Sequence, residues 1–240
     1  MIRAARTAAY LLAFILALSC FTGCLRLDGG EEGDPIKPAK PPYSTSVPAP
    51  TLRPYRSSLV LISKTMQAGG CEVAYPFVCD PGSEMLNLAI SAAFTEFAEY
   101  CDSPGSSIDY TTEFNRSGLL SFLMTCTSAQ GRLLAADTAN FDCFAIRRIH
   151  LTACFGSGPI PQSRLAELVL EDVRAQGREL LYAMPAPDDT RLFVFTLGGI
   201  CLFYREYELY PSGEWLVRVR IGLEELEGCI AEDGLLNRLN

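Results

Sequence analysis

Ile108-Asp109-Tyr110-Thr111-Thr112-Glu113-Phe114-Asn115 is followed, after Arg116 and Ser117, by Gly118 and then Leu119-Leu120-Ser121-Phe122-Leu123-Met124-Thr125-Cys126-Thr127. In the first stretch Ile108, Tyr110, Thr112 and Phe114 alternate with Asp109, Thr111, Glu113 and Asn115. That is the period of a half-buried strand with one wet face. The second stretch is a more apolar strand, and Ser117-Gly118 between them predicts a hairpin. Adjacent strands joined this tightly must run antiparallel.

The same kind of pattern continues on both sides. Upstream, Ser58–Ile62 and Glu72–Val78 read as strands, and Pro76 in the latter predicts an edge or a bulge. Asp80-Pro81 supplies a cap and a first-turn proline, which predicts a helix start. Leu86, Ile90, Ala93, Phe94 and Phe97 then share one helical face up to about Tyr100. Downstream, 132–144 reads as one or two strands, and Gln130-Gly131 as a tight turn that sets positions summing to 261 opposite each other. Pro161 precedes a helix with Leu165, Leu168, Val169, Asp172 and Val173 in its stripe. Arg191–Leu197, Cys201–Leu209 and Trp215–Ile221 are the last strands, and a short helix near Leu223–Ile230 closes the chain. The order β-β-α-β-β-β-α-β-β-β, with two main helices, predicts an α+β fold on antiparallel sheet.

The chain has 240 residues, enough for one or two domains. Hydrophobic residues are 49% and charged residues 20%, which excludes a disordered chain. The net charge of −8 excludes nucleic acid as a natural partner, since phosphate binding needs the opposite sign. A single histidine removes most multi-histidine metal and catalytic sites.

At the N-terminus, Arg3 and Arg6 precede an apolar run, Ala8 to Leu18, and then Phe21-Thr22-Gly23-Cys24. Basic, apolar and small-residue segments in that order predict a secretory signal. The Gly-Cys end resembles a lipoprotein signal, with Cys24 lipidated and residues 1–23 removed. Cys20, after Ala17-Leu18-Ser19, is a poorer match. The alternative is an uncleaved anchor, because residues 7–25 carry no charge and nearly span a bilayer. Either reading places the rest of the chain on the extracytoplasmic face of the cell membrane. Residues 24–56 are a proline-rich tether with no apolar period, and 57–240 form the folded part. It carries 13 Lys and Arg against 24 Asp and Glu, a net of −11.

Eight cysteines lie in the folded part: Cys71, Cys79, Cys101, Cys126, Cys143, Cys154, Cys201 and Cys229. In an exported chain an even number predicts a disulfide framework. Cys71 and Cys79 flank one strand, about 26 Å apart if it is extended, so they should not pair. Cys126 falls opposite Ala135 and Cys143 opposite Gly118, so those two should not pair either.

Tyr75-Pro76 with Asn87, and then Leu120-Ser121-Phe122, Ala129, Gly131, Asn140-Phe141-Asp142 and Ile149 through Phe155, resemble the RsiV/PdaC module family. So does the ending, Tyr207-Glu208-Leu209, Gly213, Val219, Ile221 and Leu226. The resemblance spans 57–240, as two half-modules of about 57–101 and 107–240. Where that family often has a Gly-Ala-His-Gly-like turn, this chain has Ser128-Ala129-Gln130-Gly131, so no role of that histidine carries over. In RsiV the module binds lysozyme outside the membrane, and the anti-sigma part is cytosolic. Here the cytosolic part is expected to be about six residues, too few to hold a sigma factor. The deacetylase domain that accompanies the module in PdaC has no counterpart in the sequence. The resemblance therefore implies a lipid-anchored binding or sensing module for lysozyme, another basic envelope protein or peptidoglycan, with no cofactor and no metal.

No residue pattern assigns catalysis. His150 alternates with its neighbours like a strand residue, and Gly156-Ser157-Gly158 lacks nucleophile-elbow spacing. Asp188-Asp189 and Glu224-Glu225 read as solvated neighbours. Tyr204, Tyr207 and Tyr210, close to Trp215, form a possible recognition face, though aromatics on a sheet more often pack across strands. An envelope or peptidoglycan hydrolase with an unrecognised acidic site is the alternative. It would need two buried carboxylates with raised pKa in a cleft.

Overall fold

The 117–118 turn does what its residues allow. Ser117 and Gly118 have φ of 56° and 72°, the two positive values of a type I′ hairpin. They join β3 (Ser107–Arg116) to β4 (Leu119–Thr127) with Arg116 opposite Leu119. The protein is described by a computed structural model over residues 58–180, 184, 187–205, 207–210 and 215–239. The signal segment 1–23, Cys24 and the tether 24–56 lie outside the described residues.

Before β3 come β1 (Leu61–Ala68), β2 (Cys71–Val78) and α1 (Glu84–Cys101). After β4 come β5 (Leu133–Asp142), β6 (Arg147–Arg148), α2 (Leu151–Phe155) and α3 (Gln162–Ala175). Then follow β7 (Phe193–Thr196), β8 (Gly199–Arg205), β9 (Leu216–Gly222) and the 3₁₀ turns 224–226 and 235–239. The class is α+β. A six-stranded sheet, β1 to β6 in sequence order, is accompanied by a three-stranded sheet β7-β8-β9.

Among the described residues all strand pairings but one are antiparallel. β2 and β3 run parallel over Glu72–Ser107 and Val73–Ile108, with α1 as the crossover between them. β4 and β5 pair with positions summing to 261, so Cys126 faces Ala135 and the Cys143 N–H reaches the Gly118 carbonyl. A bulge at Glu113 interrupts the β3–β4 ladder.

β4 is apolar on both faces because both are covered. Leu120, Phe122, Met124 and Cys126 point to α1, whose Leu86, Ile90, Phe94 and Phe97 fill that layer. Leu119 and Leu123 point the other way, toward residues of β7 and β8. The three-stranded sheet is in turn covered by α3, whose Leu165, Leu168, Val169 and Val173 pack with Ile200, Leu202, Val217 and Val219.

Three local expectations are corrected. β1 begins at Leu61, because Ser63 to Gln67 is an edge segment whose polar residues hide its period. The first helix starts at Glu84, not at Asp80-Pro81: Gly82, at φ 82°, turns the chain, and Asp80 instead accepts the Val60 N–H at 2.9 Å. His150 is not in a strand; β6 ends at Arg148, and exposed His150 precedes the first turn of α2.

Candidate functional site

The end of β2 and the first two turns of α1 form the walls of an open groove of about 490 Å³. That is within the usual range of ligand sites. Tyr75 and Phe77 come from β2, Pro81 from the turn, and Leu88 from α1. Asn87 fixes the two walls to each other: its side-chain oxygen accepts the Val78 N–H at 2.8 Å, and its amide donates to the Val78 carbonyl at 3.0 Å. Tyr75 leans on Phe94 with ring centroids 6.5 Å apart. Two apolar side chains of this part of α1, Met85 and Leu88, are each 61% exposed. The charged groups lining the groove are Asp80 and Glu84, both carboxylates.

A second hollow of about 590 Å³ lies between the Leu197-Gly198 turn and the C-terminal 3₁₀ turns. Its charged lining is Glu224 and Glu227, again carboxylates only. The first hollow is built from one stretch, 75–91, whereas the second arises where the Leu197-Gly198 turn meets residues between 223 and 239, distant along the chain.

The tyrosines do not share a face. Tyr204 is fully buried under Arg191, whose guanidinium lies 4.2 Å from its ring centroid. Tyr210 is also buried and donates to Gln176 at 2.8 Å, whereas Tyr207 is 56% exposed. The adjacent carboxylates hold backbone. Asp189 accepts the Thr152 N–H at 2.7 Å at the start of α2, Asp188 closes its own turn on Thr190, and Glu225 accepts the Gly222 N–H at 2.6 Å. Ser157 is a loop residue tied to Asp233.

Two carboxylates are raised above their ordinary pKa. Asp137 on β5 is raised by burial, against the Thr138 N–H and Arg148. Asp172 on α3 is raised by burial, and the Gln176 hydrogen bond opposes the shift. They sit on separate elements, and neither lines either hollow. Among the described residues no group of three or more His, Cys, Asp or Glu is placed to hold a metal ion. No helix among them is long and apolar enough to cross a membrane.

The eight cysteines carry free thiols in this structure. Burial pushes Cys143 up to about 12 and Cys201 to about 11, and it pushes Cys154 well above its ordinary value. Thiols held protonated in this way are poor nucleophiles.

No protein-family model and no curated protein matches the sequence. Solved structures do. A DUF3298 family protein from Pseudomonas aeruginosa superimposes with a TM-score of 0.51 at 14% identity, covering 75% of this chain and 97% of its own. A member of the same family from Bacteroides fragilis superimposes with a TM-score of 0.50 at 13% identity, covering 76% of this chain and 96% of its own. At such identities the likeness is one of fold.

Proposed function

We propose that the chain is a lipid-anchored, extracytoplasmic binding or sensing module of the RsiV/PdaC type, and that its ligand is a basic envelope protein, with lysozyme the leading candidate. The observation that carries this reading is the lining of the β2–α1 groove. Apolar walls stand beside carboxylates, with no basic side chain among the lining residues. The net charge of −11 over residues 57–240 has the sign that speeds encounter with a cationic partner. Tyr75 and Asn87, two residues of the family resemblance, are among those that build the groove.

The test is titration of the purified chain with lysozyme and with peptidoglycan fragments at about 50 and 200 mM salt, since exposed charges are screened over roughly 10 Å at 0.1 M. Lysozyme binding that weakens markedly with salt supports the reading. No association with lysozyme at low salt overturns the lysozyme assignment, and binding of peptidoglycan alone makes the ligand a glycan.

A further inference from the structure

Three cysteines from distant parts of the chain meet under the last turn of α1. Cys71 opens β2, Cys101 ends α1 and Cys126 is near the end of β4. The registers explain the meeting. Glu72 pairs with Ser107 and Ile108 with Cys126, so Cys71 stands level with Ser106, and Cys126 lies two residues further along on the same face of the sheet. The Ser106 hydroxyl lies 3.1 Å from the Cys71 sulfur and 3.6 Å from that of Cys126. Cys101, at the helix end, packs against the cluster that holds Cys126 and Cys71, with Cys126 its foremost side-chain partner.

Only some pairings are possible. β2 and β4 are separated by β3, and the two residues are offset along the strands, so Cys71 and Cys126 are more than about 9.5 Å apart at Cα, beyond the roughly 7 Å that a disulfide tolerates. Cys101 comes from another layer and escapes that limit. Its side chain already touches Cys126, and it is partly exposed, whereas Cys71 and Cys126 are fully buried. We propose that Cys101 and Cys126 form a disulfide that fastens the end of α1 to β4, leaving Cys71 as a thiol beside it.

The bond needs a disulfide donor, such as a small-molecule or protein disulfide. The Cys101 thiolate attacks one donor sulfur, forming a mixed disulfide and releasing the other donor sulfur as a thiolate. The Cys126 thiolate then attacks the Cys101 sulfur and displaces the rest of the donor. Two protein thiols are oxidised, the donor disulfide is reduced to two thiols, and the protons of Cys101 and Cys126 end on the donor sulfurs. Burial, then Cys126 and Cys71, push the Cys101 thiol up to about 12. The reaction therefore quickens as pH rises.

The full chain in detergent is incubated with glutathione disulfide at pH 8.5, alkylated, and cleaved after Arg, Lys and Glu without reduction. That cleavage puts Cys71, Cys101 and Cys126 on separate peptides, 65–72, 100–113 and 117–132. A crosslink between 100–113 and 117–132, with alkylated 65–72, is expected. Three alkylated peptides, or a crosslink from 100–113 to 65–72, overturn the proposal. Cys101→Ser, at a half-exposed helix end, provides a second reading. Reductant is expected to lower the denaturation midpoint of the oxidised wild type to that of C101S and to leave C101S unmoved; an oxidised wild type indifferent to reductant overturns it. Because the oxidant is supplied, the outcome is independent of what the groove binds.

Discussion

Asn140 donates its side-chain amide to the carbonyl of Phe193 at 2.8 Å, and this bond joins the six-stranded sheet to the free edge of β7. Ser121, directly opposite Asn140 on β4, donates to the Asn140 side-chain oxygen at 2.6 Å and accepts the Phe195 N–H at 3.0 Å. Thr138 accepts the Phe193 N–H at 3.3 Å. An edge strand would otherwise bury unpaired backbone groups, and here side chains rising from the facing sheet satisfy them. Asn140→Ala strands the Phe193 carbonyl and the Ser121 hydroxyl in a dry core. An orphaned buried group costs roughly 1–3 kcal/mol, so a loss of about 3 kcal/mol is expected by chemical denaturation. Asn140→Asp should cost at least as much, since a carboxylate cannot donate to Phe193. A loss under 1 kcal/mol for both would mean that the sheets are held by apolar packing alone.

Ser121 and Asn140 show what was legible in the sequence. Their motifs, Leu120-Ser121-Phe122 and Asn140-Phe141-Asp142, stood out as a family resemblance, but sequence could not say that the polar residue in each one sutures two sheets. The hairpins were legible because turn chemistry and alternation are local. The β4–β5 register was readable from one Gln-Gly turn, and it holds as far as Cys126 and Ala135. The parallel β2–β3 contact was not, since it rests on two residue pairs linked through an 18-residue helix. Tyr204 was ambiguous for a physical reason: β8 is buried on both faces, so period 2 says nothing about which face is wet.

Gly118 is the position where a single methyl should be most visible. Its φ of 72° disfavours any side chain, and a Cβ there would run into the ring of Phe144. Gly118→Ala combines left-handed strain, about 1 kcal/mol, with displacement of a packed ring. The expected destabilisation is about 2–3 kcal/mol. Gly131→Ala, also at positive φ but with open space around the new methyl, should cost only the first of these. Equal thermal shifts for the two variants would remove the Phe144 contribution.

Asp142 gives the fold a defined acid limit. It is almost wholly buried, and burial alone would raise its pKa. The Arg238 guanidinium, bonded at 2.9 and 3.1 Å, and the N–H groups of Ala145 and Phe144 overcome that and lower it. A carboxylate with a depressed folded-state pKa stabilises above its unfolded value, near ~3.9, and that contribution is lost as pH falls through the folded value. Stability of the wild type should therefore fall steeply below about pH 4. Arg238→Gln should cost on the order of 2 kcal/mol at pH 7, less than a fully buried pair because a third of Arg238 is exposed, and should flatten the acid limb. Parallel pH profiles for wild type and variant would assign the limb to other groups.

Cys24→Ser tests the anchor. If Cys24 is the lipidated residue, the variant should keep its full precursor mass and carry no lipid, whereas the wild type loses residues 1–23 and gains the lipid mass. Retention with unchanged processing would assign membrane attachment to residues 7–25 themselves or to Cys20.

The groove makes separable predictions for charge and for apolar contact. Leu88 is 61% exposed and makes no demand on the core, so Leu88→Asp should leave the fold intact while removing apolar contact area. Lysozyme affinity should then fall roughly tenfold, or ~1.4 kcal/mol, mostly through a faster off-rate. Glu84→Lys should act differently. Reversing a carboxylate at the groove should slow association at about 50 mM salt, and the difference from wild type should shrink at 200 mM as screening removes the long-range part. Glu224→Lys, in the other hollow, makes the same change in net charge far from this groove along the chain. It should leave the off-rate unchanged and alter the on-rate less than Glu84→Lys does. Surface resonance kinetics on the three variants separates the cases. If Glu224→Lys weakens binding as much as Glu84→Lys and Leu88→Asp has no effect, the ligand is held by the C-terminal hollow or by net charge, and the β2–α1 groove is not the site.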